Sequence, residues 1–175
     1  TDVQVQVLSP APSKNSVYGR SFCVIRRKNM AIVKFMKLNP NAIVPTYGTE
    51  YAAGADLYAL PEKVIEINPG ETVLIHTGIA MQIPEGTAAF IFARSGIATK
   101  RGLAPANKVG VIDSDYRGEI MVPIHNHSTQ PQQIEVGERV AQMVIMPYVK
   151  GEFVESDSLD DTIRSTGGFG STGTK

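Results

Sequence analysis

Cysteine is almost absent from this 175-residue sequence, with Cys23 the single example. That scarcity excludes an internal disulfide framework and any cysteine-rich zinc site, and it fits a reducing, intracellular location. Neither sign of charge is in excess, because seventeen basic and seventeen acidic residues cancel. The balance argues against direct nucleic-acid binding or a membrane-surface role and favours a small partner. No apolar run approaches the ~20 residues that span a bilayer, so a soluble protein is expected. Sustained 3.6-residue periodicity is also missing, which leaves little room for helix. Finally, no acid occurs between Asp2 and Glu50, whereas Lys14, Arg20, Arg26, Arg27, Lys28, Lys34 and Lys37 are basic. Before Met30, five basic residues against one acid give net +4, leaving −4 for the rest.

That asymmetry sets the expected organisation. Residues 1–29 read as a leader, transit-like or an expression remnant, and are expected to be disordered. The compartment is then cytoplasmic or nuclear, or organellar if the leader is a true transit peptide. Residues 30–150 read as one β domain. After Ala31–Leu38 come Leu57–Leu60, Val64–Ile67, Thr72–Thr77, Ile79–Ile83, Thr87–Ala93, Val109–Ile112, Glu119–Asn126, Gln133–Val136 and Arg139–Pro147. These short runs, punctuated by Gly, Pro and Asn, have the spacing of a sandwich or barrel. Only Ser95–Arg101 reads as one or two helical turns. Residues 151–175 form a flexible arm with a glycine-rich end.

Several stretches carry the residue types of a site. In Gly110–Glu119 an apolar run breaks into Asp113-Ser114-Asp115-Tyr116, which reads as strand, turn, strand. A carboxylate and a phenol at a sheet edge suit a site, and a surface hairpin with solvated acids is the alternative. Small residues precede Asp56 in Ala53-Gly54-Ala55, so a backbone approaches closely there, or Asp56 caps a tight turn. Arg94-Ser95-Gly96 presents phosphate-binding groups, although Arg94 could instead pair with a core-edge acid. Asn107 offers the donor and acceptor that read an amide-like base edge. Gln142 lies within an apolar strand, where backbone or ligand must satisfy its amide. Arg164 and Phe169 are unexpected in a pure linker, and with closely spaced glycine amides they suit a nucleoside phosphate. His125 and His127 share a strand face without a third ligand and read as ordinary strand residues. Neither a Walker P-loop nor Gly-x-Ser-x-Gly is present.

Taken in order, Ala53–Ala59, Arg94–Ala98, Gly110–Gly118, Gly137–Pro147 and Arg164–Gly173 resemble the five motifs of the trimeric dUTP diphosphatases. The resemblance covers about Met30 to Gly173. It implies an all-β, jelly-roll-like β-clip barrel, assembled as a homotrimer with sites shared between subunits and a flexible C-terminal arm. It implies hydrolysis of dUTP to dUMP and pyrophosphate with Mg2+, keeping uracil out of DNA and supplying dUMP for dTMP synthesis. Asp113 would orient the attacking water, and Tyr116 would pack where a 2′-hydroxyl would clash. Asn107 and Gly110 would lie in the uracil-reading hairpin. Asp56 would hold magnesium through water. Arg94, Ser95, Gly96 and Gln142 would serve the phosphate chain. Phe169 would stack on uracil, while Arg164, Gly170, Ser171 and Thr172 would close on the γ-phosphate.

Ser165 departs from the glycine usual after the arginine of the fifth motif, which alters the arm's entry geometry. Ile97 for leucine is a conservative change. The rival readings are a dCTP deaminase-like enzyme and a non-hydrolysing nucleotide-sensing regulatory protein on the same fold. Asp113 with the complete tail favours the diphosphatase.

Overall fold

Eleven strands and one short helix make up residues 31–168, the part of the chain that the computed structural model describes. The leader and the arm residues Phe169, Gly170, Ser171 and Thr172 lie outside the described residues. In chain order the elements are β1 (Lys34–Lys37), β2 (Thr46–Tyr47), β3 (Ala55–Tyr58), β4 (Ile65–Ile67), β5 (Thr72–Gln82) and β6 (Thr87–Ala93). They are followed by α1 (Ser95–Arg101), β7 (Leu103–Pro105), β8 (Gly110–Ile112), β9 (Glu119–Asn126), β10 (Gln132–Ile134) and β11 (Arg139–Pro147). The all-β expectation holds, and the single predicted helix has its predicted bounds.

Strand order β1-β5-β9-β7 forms one antiparallel sheet and β2-β3-β11-β6-β8 the other, with a separate β4-β10 ladder. Alternation explains how they enclose one core. Along β9, Ile120, Val122 and Ile124 are buried while Glu119, Met121, Pro123 and His125 face outward. Leu57 from β3 and Val140 from β11 join the same cluster, with Ile75 and Ile79 from β5. Each such side chain contributes about 1.5–3 kcal/mol relative to exposure, so this two-sheet contact is the main stabilising element. No described helix is long and apolar enough to cross a membrane.

The structure corrects three strand assignments. Thr72–Thr77 and Ile79–Ile83 are one strand, β5, because Gly78 bulges without ending it. At φ +68°, a Cβ on Gly78 would lie 2.4 Å from Leu60 Cδ2 and 2.9 Å from the Ala42 Cβ, so only glycine fits. The strand expected at Leu57–Leu60 begins instead at Ala55, where Asp56 pairs with Thr46 on one side and Gln142 on the other. Strands β2 and β7 were not anticipated, since two or three residues are too few to display a period of two.

Helix α1 ends at Gly102, whose φ of +69° is the left-handed conformation that glycine adopts without strain. Lys100 and Arg101 in its last turn complement the negative end of the helix dipole. Beyond Pro147 the described chain has no strand, and Phe153, Leu159 and Ile163 are almost wholly exposed.

Candidate active site

The centre of the site is built by register. Strand β11 lies between β3 and β6, which sets Gln142 opposite Asp56 on one side and Phe92 on the other. Asp56 is 8% exposed, a position where a carboxylate needs charged partners. It has two. Arg94, at the junction of β6 and α1, donates from Nε to Asp56 Oδ1 at 2.9 Å. Arg139, the first residue of β11, donates from a terminal nitrogen to Oδ2 at 3.1 Å. Gln142 Nε2 donates to the Ala93 carbonyl at 3.0 Å, so backbone satisfies the amide nitrogen. A Cβ on Gly54 would stand 2.9 Å from Gln142 Oε1, which is the close approach its small neighbours foretold.

Three of the sequence segments therefore converge, those around Asp56, Arg94 and Gln142. Ser95 is exposed at the start of α1 beside Gly96. Arg94 does pair with a core-edge acid, and that acid is itself a candidate site residue. Arg139 escaped sequence reasoning. The signal was present, because a carboxylate placed in a strand between apolar neighbours needs more than one cation, and Arg139 opens the strand that holds Gln142. Arg101 reinforces this region, binding the Glu138 carboxylate and the Gln133 carbonyl and so tying α1 to the turn before β11.

Asn107 and Gly110 lie where a hairpin is expected, but the structure has instead a turn that carries the chain from β7 in one sheet to β8 in the other. Lys108 takes φ +64° at its tip, and Val109 N–H donates to the Asn107 carbonyl at 2.7 Å. Gly110 is buried against Ile91, and a Cβ there would lie 3.3 Å from Asn107 Nδ2. Substitution would push the asparagine away.

Asp113 and Tyr116 occupy a tight turn after β8. Tyr116 N–H donates to the Asp113 carbonyl at 3.2 Å, and Arg117 clips the turn through the Ser114 and Tyr116 carbonyls. The Tyr116 hydroxyl donates to the Glu119 carbonyl at 2.9 Å, folding the ring over Gly118. Both residues are exposed.

Within one chain this turn is not brought to the Asp56 cluster. Gly110 pairs with Ile91 and Ile112 with Ala89, so Asp113 falls at the level of Ala88. Arg94 is six residues further along, roughly 20 Å at the ~3.3 Å rise of a strand. Arg164 is separate again, bonded from Nε to the Gly167 carbonyl at 2.8 Å in an exposed local turn. Ser165 takes φ +45° there, the conformation for which glycine is the ordinary choice. A cleft of about 520 Å3 lined by Leu38, Leu60, His76 and Glu119 contains none of the sequence-predicted site residues.

Among the described residues no group of three or more His, Cys, Asp or Glu side chains could hold a metal. The His125 and His127 rings pack edge to face, 4.3 Å apart. His127 has its pKa lowered by desolvation, with the neighbouring His125 and Lys108 adding to it.

Comparison with known proteins fits this arrangement. The dUTPase family model matches residues 40–173. A deoxyuridine 5'-triphosphate nucleotidohydrolase of Desulfitobacterium hafniense is 53% identical over 131 residues, covering 74% of this chain and 87% of that protein. Among solved structures, a dUTPase of phage 80alpha aligns with TM-score 0.73 and 26% identity, covering 83% of this chain and 99% of that one. A dUTPase of phage phi11 of S. aureus, described with a structural Mg(II) ion, shares the fold at TM-score 0.68 and 24% identity over 75% and 100% of the two chains. The family match spans every converging segment and reaches into the glycine-rich arm, so the chain belongs to the dUTPase family.

Proposed function

We infer that the chain hydrolyses dUTP to dUMP and pyrophosphate, in sites that copies of the chain complete for one another. The observation that carries this reading is the Asp56 cluster: a carboxylate with both oxygens bound to guanidinium groups and Gln142 one strand away. Cations and an amide held this firmly on strands suit a polyanion, and the matched family supplies its identity as a deoxyuridine triphosphate.

The reaction is water attack on the α-phosphorus. Asp113 accepts a proton as the water oxygen forms its bond to phosphorus. The bond from the α-phosphorus to the bridging oxygen breaks, and its electron pair leaves with pyrophosphate. A carboxylate open to water and substrate can take that role. Arg94, Ser95, Gly96 and Gln142 hold the phosphate oxygens where negative charge accumulates. Asn107 and Gly110 form the base-reading turn, and Tyr116 stands against the sugar. Arg164, Phe169, Gly170, Ser171 and Thr172 close over a complete triphosphate and exclude water.

The donor set fits magnesium held indirectly. Both Asp56 oxygens already accept from arginine, which leaves their remaining lone pairs for a water rather than for direct ligation. Magnesium retains several waters and uses few carboxylates; when bound, it offsets charge on the phosphates. Arg139 keeps Asp56 oriented for that water.

The register supports a site completed by a second copy. One dUTP cannot place its α-phosphorus at Asp113 and its neighbouring phosphates at Arg94 when these lie roughly 20 Å apart along one sheet. A second copy brings its cluster to the first copy's turn. A head-to-tail contact whose rotation closes makes a ring, and a ring of three copies is the homotrimer of this reading. The exposed Phe153, Leu159 and Ile163 would then find cover on a neighbour.

Pyrophosphate release, measured with and without magnesium across the deoxynucleoside triphosphates, tests the assignment. Selective turnover of dUTP is expected. No turnover of dUTP overturns it, and ammonia released from dCTP would identify a deaminase instead.

A further inference from the structure

We propose that Glu119 is a positioning residue for Tyr116: its carboxylate, seated on the bulge of β5, holds the ring that keeps ribonucleotides out. The inference rests on the reading of Tyr116 as the wall against the sugar.

The bulge creates the need. Pairing between β5 and β9 runs to His76 opposite Met121 and resumes with Ala80 opposite Glu119, so the intervening residues have no ladder partner on β9. Thr77 serves one of them, its hydroxyl accepting from Ile79 N–H at 3.3 Å while donating to the Ile120 carbonyl at 2.6 Å. Glu119 serves the next, with Oε1 accepting from Gly78 N–H at 2.7 Å. Its other oxygen lies 2.8 Å from His76 Nδ1. The bulge is itself immobilised, because Gly78 is pressed against Leu60 and Ala42 and its carbonyl accepts from Leu38 N–H at 2.8 Å.

The same residue holds the tyrosine. The main-chain carbonyl of Glu119 accepts the Tyr116 hydroxyl, and a Cβ on the intervening Gly118 would lie 2.4 Å from that hydroxyl oxygen. Ring, glycine and glutamate backbone are therefore one packed unit, tied to β5 by the ladder at Ala80 and to the bulge itself by the Glu119 carboxylate. Without that side chain the Gly78 N–H loses its partner and the first residue of β9 keeps only its ladder pairing with Ala80. The hydroxyl bond then orients to a looser carbonyl, and the ring yields to a 2′-hydroxyl.

The test compares kcat/KM for dUTP and UTP in the full chain. E119A should lower the dUTP-to-UTP ratio by about tenfold, mainly by admitting UTP, while E119Q, which can still accept from Gly78, should stay within about twofold of the parent. E119D keeps the charge but falls short of Gly78 and should resemble E119A; it carries the test if E119A does not fold. Y116F removes the hydroxyl bond itself, so combining it with E119A should add little further loss. A ratio unchanged in E119A and E119D, with Y116A losing it, overturns the inference and leaves the reading of Tyr116 standing. An unchanged ratio in Y116A overturns that reading first. Equal loss of activity on both nucleotides in E119A, not restored in E119Q, would show a merely structural role and also overturn the proposal.

Discussion

Asp56 lies in one strand of a sheet and Asp113 in the turn after another strand of the same sheet, and they are treated in opposite ways. Asp56 is enclosed, with each carboxylate oxygen on a guanidinium group, whereas Asp113 is exposed in a turn held through backbone carbonyls. A group that orients charge is best made rigid within the chain that carries it. A group that takes a proton must stay open to water and substrate. On the reaction proposed above, the contrast separates framework from chemistry: loss of Asp56 should be felt in folding, and loss of Asp113 in turnover.

Four expectations would break or sharpen that contrast. Asp113→Asn should lower kcat by roughly 10²–10⁴-fold, the range for a removed general base, with nucleotide binding and melting temperature unchanged. Equal loss of stability would merge the two regions. Deleting residues 164–175 should leave a folded assembly with little activity, checked by far-UV circular dichroism beside the pyrophosphate assay, because the arm's described part adds no buried core. Asp56→Ala should cost about 2 kcal/mol in denaturant unfolding, below the ~3–5 kcal/mol for breaking a fully buried pair because both arginines keep solvent access. Asp113→Ala is the matching control and should cost almost nothing.

The smallest effect concerns acid. Burial works to raise the pKa of Glu119, but the bonds from His76 and from the Gly78 and Thr77 backbone outweigh it, and the net shift is downward from the ordinary 4.5. A folded-state pKa below the unfolded one contributes stability that is present above pH 4.5 and lost as pH falls through the lowered value. The stability gap between the parent and E119Q should therefore shrink on acidification from pH 4.5 downward. A gap independent of pH would show that the carboxylate's charge does not matter there.

Much of this molecule can be read without coordinates where one residue type has one common use. Ser95–Arg101 is flanked by a polar start and by Gly102, and it is a helix. Asp113 and Tyr116 stand out because acid and aromatic residues interrupt an apolar run. Gly78 reads in the sequence as an end of strand, since a glycine that breaks a pattern looks the same whether the chain turns or bulges. Arg139 went unnoticed because a cation beginning a strand is ordinary until its partner is known. Ser165 stands out in the sequence as a departure from the expected glycine, and its φ of +45° is the conformation that glycine adopts most readily.

The sequence by itself determined the β class, the order of the segments and the chemistry each can offer, because these depend on neighbours along the chain and on side-chain type. Only the tertiary structure decided which of those groups meet. Asp56, Arg94, Arg139 and Gln142 come together through the register of three strands, and that same register carries Asp113 away from them. Distance across a sheet depends on which residues pair, and pairing is set by a core to which all the strands contribute at once.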